Sequence, residues 1–339
     1  MTSEASAGAL GEFLRTRRAR VRPEDAGIVS YGTRRVPGLR REELAQLAGV
    51  SATYYTRLEQ GQSRNASEAV IEAIARALGL DDAERAHLRD LARPVRTARR
   101  RPARPDTARP GTVQLIGAMT EVPAVVLGRR NEVLAWNALG HALLAGHVDR
   151  DAPTRPVDRP NLIRMLFLDP HTRELYARWD EEAEHVVASL RLVAGRHRDD
   201  RELAELVGEL ILKSDEFAAL WSRHVVRDCL SGRKLFRHPE VGELELDYEV
   251  LHLPDGTGHR LLTYTAVPDT ADAMALRLLA HHAAQRGPVP SAGSDSSAGR
   301  SGPAARSGAA VPPRLRPGRD LRTGDAARPA RATSARPTA

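Results

Sequence analysis

The sequence is poor in several residue types, and each shortage excludes a class of protein. It has one cysteine, Cys229, in 339 residues, which excludes an internal disulfide framework and a multi-cysteine zinc site. Aromatic residues make up 4 %, so the core must consist mainly of Leu, Ala and Val, which favours helices over a large β-sandwich. No apolar run approaches the ~20 residues of a membrane span, and the N-terminus lacks the layout of a signal peptide. We therefore expect a cytoplasmic protein without a membrane partner.

Lysine is also scarce, and the net charge of +7 is carried largely by arginine in two low-complexity segments. Residues 95–112 hold six Arg and one Asp, and residues 287–339 hold nine Arg and three Asp. Both segments lack hydrophobic periodicity, which predicts a basic linker over 94–112 and a disordered tail over 287–339. The tail either adds non-specific attraction to DNA or is inert. Two packed domains remain, at residues 8–93 and 113–286.

The first of these domains has the pattern of a helical domain. Leu10, Phe13, Leu14 and Arg17 share one face of an opening helix, as residues spaced three and four apart do. Short helices are predicted at about 40–48, 51–60, 67–78 and 82–92, with Ser51 and Ser67 as N-caps and glycines at 49, 61 and 79 as C-terminal caps.

The segment Arg41–Gly61 has the spacing of a helix-turn-helix. Its first helix is predicted to turn Leu44, Leu47 and Ala48 toward a core, and the small Ala45 lets the second helix approach closely. Gly49 supplies the positive φ of a tight turn. The turn is predicted to bury Val50, and the second helix returns Tyr55 and Leu58 to the core. The alternative is an ordinary helical hairpin.

A second helix of this kind lies in the major groove with its N-terminal residues near base edges. The residues it would turn to DNA are Ser51, Ala52, Thr53, Tyr54, Thr56 and Arg57. Arg57 is suited to a guanine and Thr53 to a thymine methyl group, although each residue is also compatible with a solvated surface. Candidate phosphate contacts before and after the motif are Arg34, Arg35, Arg40, Arg41, Gln62, Arg64 and Asn65.

The second domain has the pattern of an antiparallel sheet with an inserted helical block. PAVVLGR and NEVLAWN are predicted strands, followed by helices at about 160–168, 171–195, 200–213 and 214–223. RKLFRH, VGELELDYEVLHL and HRLLTYTAV are three further strands, and the second of them alternates apolar and acidic residues as a half-buried strand does. A closing helix at about 270–285 carries Met274, Leu276 and Leu279.

GLRREELAQLAGVSATYYTRLEQG resembles the XRE-type helix-turn-helix of the MmyB-like bacterial transcription regulators. The resemblance continues through PAVVLGRRNEVLAWN, NLIRMLFLDP and FRHPEVGELELDYEVL, and it covers about residues 8–286. It implies a five-helix, lambda-repressor-like DNA-binding domain followed by a PAS-like α+β ligand-binding domain. It also implies double-stranded DNA and a small apolar, fatty-acid-like ligand as partners.

A ligand in such a domain would lie between the sheet and the helices in a mostly apolar pocket. The candidate lining residues are Trp136, Leu166, Phe167, Trp179, Trp221 and Tyr248, and each is equally an ordinary core residue.

No nucleophile, phosphate-binding or zinc-protease motif is present in the sequence, so we expect no enzyme, no cofactor and no metal site. Glu181, Glu184 and His185 share a helical segment, but an ion-paired surface explains them better than a metal. Two hypotheses remain. The chain is a dimeric, ligand-responsive transcriptional regulator, or a DNA-binding protein whose second domain only dimerises or docks a partner.

Overall fold

The structure is a computed structural model of the chain. It describes residues 2–28, 36, 38–62, 66–93, 106–254 and 256–286, with side chains from residue 8 onward. Four candidate phosphate contacts (Arg34, Arg35, Arg64 and Asn65), most of the predicted linker and the whole tail lie outside the described residues. No described helix combines the length and the apolar character that crossing a membrane requires.

The N-terminal part is helical, as predicted. Its elements are α1 (Thr2–Arg20), α2 (Arg41–Leu47), α3 (Ala52–Glu59), α4 (Glu68–Ala77) and α5 (Asp82–Ala92). One apolar cluster unites them, in which the predicted face of α1, with Phe13 and Leu14, meets Leu44 of α2 and Tyr55 and Leu58 of α3.

The helix ends in this part follow from local chemistry. The Ser51 hydroxyl accepts a hydrogen bond from the Tyr54 N–H at 3.1 Å, so Ser51 caps α3. Gly49 has φ +65°, a conformation that costs other residues free energy, and this places the turn between α2 and α3 where the sequence predicts it. Leu47 was predicted to face the core but is 41 % exposed. Ala45 is buried instead, so the buried side of this short helix lies away from Leu47.

The C-terminal part is α+β. Its helices are α6 (Pro110–Ala118), α7 (Ala138–Ala145), α8 (Leu162–Leu168), α9 (Pro170–Leu175), α10 (Trp179–Arg196), α11 (Arg201–Lys213), α12 (Asp215–Ser222) and α13 (Ala271–Gln285). Its strands are β1 (Ala124–Leu127), β2 (Val133–Trp136), β3 (Ser231–His238), β4 (Gly242–His252) and β5 (Arg260–Thr265). They pair antiparallel in the order β2-β1-β5-β4-β3, which confirms the predicted antiparallel sheet.

One face of the sheet forms the main core of this part. Leu244, Leu246 and Tyr248 of β4 are buried at alternate positions, and they share a cluster with α7 and with Leu276 and Leu279 of α13. Met274, predicted on the same helix face, is 63 % exposed. It lies two residues from Leu276, which turns it to the far side of the helix.

Two element boundaries differ from the prediction. The helix expected over 171–195 is interrupted between α9 and α10, because Tyr176 bridges to Phe236 of β3 and the Ala177 N–H donates to the Leu235 carbonyl at 3.0 Å. Backbone that completes a strand edge in this way cannot continue the helical ladder. Helix α6 begins inside the predicted linker. It buries Thr112 and Ile116, too few positions to give a clear periodicity.

Candidate functional site

Helix α3 presents an exposed face that begins at its N-terminus. Ser51, Ala52, Thr53 and Arg57 are exposed, and Tyr54 and Thr56 are half-buried. Tyr55 and Leu58, on the opposite face, are fully buried. The structure therefore brings all six predicted base-facing residues to one surface, with the long Arg57 side chain on it.

Cationic groups flank this surface. The Arg57 guanidinium forms no hydrogen bond or ion pair with any described residue, and Arg40 is exposed immediately before α2. Gln62 is exposed just after α3. A guanidinium without an internal partner is available for a phosphate or a guanine edge.

Arg41, another predicted phosphate contact, forms an ion pair within the protein. Its guanidinium lies 2.8 Å from the Glu59 carboxylate, which also accepts two hydrogen bonds from Arg18 at 2.9 and 3.0 Å. Burial alone would raise the pKa of Glu59, but these two cations hold it below its usual value. Glu59 thus ties the end of α3 to α1 and to the start of α2. Glu59 was not predicted from the sequence, since one acid in an amphipathic helix resembles a solvated residue.

The C-terminal part contains a partly open cavity of about 90 Å³ between the sheet, α8 and α10. Of the predicted pocket residues, Leu166 and Tyr248 line it. The rest of its lining is mixed. Polar or charged side chains and two tyrosines stand beside six aliphatic residues, which are Leu127, Leu162, Ile163, Val186, Val250 and Leu262.

The other four predicted pocket residues lie outside this cavity. The Trp136 indole N–H donates to the Arg150 carbonyl at 2.7 Å. Phe167 packs edge-on against Trp179, and Trp221 stacks on Phe217. The side chains of Phe167, Trp179 and Trp221 belong to the apolar cluster that holds α8, α10, α11 and α12 together. Large aromatic rings supply much of the buried area in such a cluster.

Charged groups at one end of the cavity are paired. The Lys234 ammonium lies 2.6 Å from the Glu182 carboxylate and within 4.5 Å of the centre of the Tyr248 ring. Burial alone would lower the pKa of Lys234, but Glu182 holds it well above its usual value. The ion pair is therefore charged and internally neutralised at physiological pH.

Arg260, also in the cavity wall, is not neutralised in this way. Its guanidinium donates to the Asn131 side-chain oxygen at 2.7 Å and to the Gly128 carbonyl at 3.3 Å, and it pairs with no carboxylate of the described residues. Burial lowers its pKa, although an arginine remains protonated. The buried hydroxyl of Tyr264, in the same wall, has no partner among the described residues.

Helix α10 belongs to both parts of the molecule. Glu182, Val186 and Ser189 line the cavity, whereas Leu192, further along the helix, is buried in the core of the N-terminal part. Gly195 lies so close to His87 of α5 that an added Cβ would be 2.5 Å from the imidazole. Arg198, just beyond the helix, donates to the Leu91 carbonyl at 2.7 Å. Helix α10 therefore both lines the cavity and packs against α5.

Comparison with protein families agrees with these two sites. A model described as the MmyB-like transcription regulator ligand binding domain matches residues 108–279, which contain the cavity. A helix-turn-helix domain model matches residues 9–88, which contain α3. A search of the curated proteins finds no match. The resemblance inferred from the sequence is confirmed.

Proposed function

The chain belongs to the MmyB-like transcription regulators, and on that premise we propose that α3 reads an operator while the cavity of the C-terminal part receives a regulatory ligand. One observation carries the DNA half of this proposal. The buried residues of α3 leave a continuous exposed face with an uncommitted Arg57, which is the arrangement a major-groove helix requires.

Arg57→Ala should weaken binding to the preferred duplex by about 1–3 kcal/mol and relax the preference at one base pair, because a bidentate arginine–guanine contact has this magnitude. Thr53→Ala should relax a neighbouring position. The duplex is first obtained by selecting bound sequences from a random library, and affinities are then measured at fixed salt. Two-fold symmetry in the selected sequence would support binding as a homodimer.

Arg76→Ala is the matched control, because Arg76 is an exposed arginine near the end of α4. It should leave affinity and preference unchanged. If Arg57→Ala behaved like this control, α3 would not be the reading helix.

The ligand we infer is an apolar chain with an anionic head, fatty-acid-like in chemistry. The aliphatic part of the lining suits an apolar chain. Arg260 offers a desolvated cation that forms no ion pair with a described carboxylate, so a carboxylate there would gain a charge-assisted, bidentate pair. The unpartnered Tyr264 hydroxyl adds a second polar group. Lys234 is less suited to this role, since an incoming anion would compete with Glu182 for it.

The size of the cavity suggests how the ligand would act on DNA binding. Sites for molecules of this size are about 300–1,000 Å³, several times the 90 Å³ of the cavity. A ligand would therefore have to move a wall, and α10 is the wall that also packs against α5. Displacing α10 would shift the surface on which the DNA-binding part packs. The ligand would then contact the two positions of α10 differently, which is what allosteric coupling requires.

We also propose that the chain forms a homodimer through its C-terminal domain. Met274 and Leu278 lie four residues apart on α13, and both are exposed. Adjacent exposed apolar side chains are typical of association surfaces. This observation also favours the second hypothesis, in which the domain only dimerises or docks a protein.

A further inference from the structure

We propose that His147, Asp169 and His171 form a binding site for a divalent cation of the zinc class. The three residues come from two segments, since His147 follows α7 and the other two flank Pro170 at the start of α9. One ligand atom from each lies within 4.8 Å of the others. None of the three lines the cavity, so the site is separate from that of the inferred ligand.

The carboxylate at the centre of this cluster is held in place. Asp169 Oδ1 accepts the His171 N–H at 3.0 Å, and Oδ2 accepts the Thr172 hydroxyl at 3.0 Å. A carboxylate that is oriented by neighbouring donors is a preorganised metal ligand.

The two imidazoles both lie next to this carboxylate. His147 Nε2 lies 2.6 Å from Asp169 Oδ2, and His171 Nδ1 lies 3.6 Å from Oδ1. The two rings are stacked, with centres 4.6 Å apart and planes 9° apart. Both histidines are exposed, so each ring is free to turn about its Cβ–Cγ bond.

This donor set selects the kind of ion. Two imidazole nitrogens and one carboxylate oxygen suit Zn²⁺ and similar borderline metals, whereas Mg²⁺ and Ca²⁺ prefer oxygen ligands alone. Around Zn²⁺, ligand atoms at 2.0–2.2 Å lie about 3.3 Å apart. The imidazole nitrogens reach that spacing by a ring rotation that breaks the stacking and replaces the His147–Asp169 hydrogen bond with two metal bonds. Water completes the shell.

The site would have a structural consequence. A bound ion would link the end of α7 to the start of α9, and α9 leads directly to Tyr176 in the cavity wall. The sequence predicts no metal site, and it favours an ion-paired surface for Glu181, Glu184 and His185. In the structure Glu184 pairs with Arg223, and His185 contacts Arg227.

The test is a titration of the full chain with Co²⁺ and Zn²⁺ in the presence of a competing chelator. We expect one ion to bind, with the visible absorption of four- or five-coordinate Co²⁺ that Zn²⁺ abolishes, and a rise in the unfolding temperature that grows with free Zn²⁺. His147→Ala and His171→Ala should each weaken binding by at least the 10- to 100-fold that loss of an outer-shell partner costs.

His252→Ala is the control, because His252 is exposed and lies outside the cluster. It should bind Co²⁺ as the unchanged chain does. Equal unfolding temperatures of all variants without metal would show that the substitutions leave the fold intact. No binding by the unchanged chain would overturn the proposal, as would equally tight binding by both cluster variants, because the ion would then lie elsewhere.

Discussion

Glu59→Ala should lower the free energy of unfolding by about 3–5 kcal/mol, because it leaves a buried cation without its counter-ion. The side chain of Glu59 is 2 % exposed and that of its partner Arg18 is 11 % exposed. Arg41 would lose the same partner but can turn to solvent, since its side chain is 42 % exposed. Urea unfolding measures the effect.

Glu72→Ala provides a matched comparison, because Glu72 pairs with Arg89 at the surface. An exposed pair contributes about 0–1 kcal/mol, so this variant should unfold nearly as the unchanged chain does. Equal losses for the two variants would mean that Glu59 does not hold α1, α2 and α3 together.

The free energy of unfolding should also fall steeply in mild acid, because His87 is buried as a neutral imidazole. Burial, with help from the nearby cations of Arg191, Arg17 and Arg196, lowers the pKa of His87 to about 3. Its Nδ1 has no partner among the described residues. An unfolded histidine titrates near 6.5.

The direction of this effect follows from linkage. Above about pH 6.5 neither state binds the proton and the full stability is present. As the pH falls from 6.5 toward 3, only the unfolded state takes up the proton, and the loss reaches about 5 kcal/mol. Between pH 7.5 and 4.5 we expect about 2.5–3 kcal/mol from this residue.

Urea unfolding at these two pH values isolates the contribution when the chain is compared with His87→Gln, which cannot bind the proton. Carboxylates and the other histidines titrate in both proteins, so only their difference reports His87. His252→Gln is the exposed control, and its loss of stability between the two pH values should equal that of the unchanged chain. A His87→Gln variant that lost stability as steeply as the unchanged chain would contradict the assignment.

The exposed face of α3 was predictable because its determinants are local. Ser51 and Gly49 fix the ends of two helices through bonds and torsions within a few residues, and Tyr55 sets the buried side of α3 through helical spacing alone. Leu47 was wrongly predicted to face the core. In a helix of only seven residues, the neighbouring helices determine which side is buried.

The cavity and the proposed metal site were less predictable because they depend on contacts between distant residues. The position of Arg260 depends on Asn131, 129 residues earlier in the chain. Asp169 meets His147 only because α7 and α9 pack together. Trp179 and Trp221 were assigned to a pocket by residue type, but their surroundings are set by α11 and α12, which the pattern of one helix does not reveal.

The central claim is that one chain reads DNA with α3 and responds to an apolar anion through α10. Its most direct test is the affinity of the full chain for its selected duplex during a titration with dodecanoate, with dodecanol as the uncharged control and Arg260→Gln as the control variant. We expect saturating dodecanoate to change the duplex affinity by about 5- to 150-fold, and the duplex to change dodecanoate affinity by the same factor. Dodecanol should affect the unchanged chain only at a higher concentration than dodecanoate does. Arg260→Gln should require a higher concentration of dodecanoate for the same effect. An unchanged duplex affinity at saturating dodecanoate, whether or not native mass spectrometry shows it bound, would contradict the claim and favour a C-terminal domain that only dimerises or docks a partner.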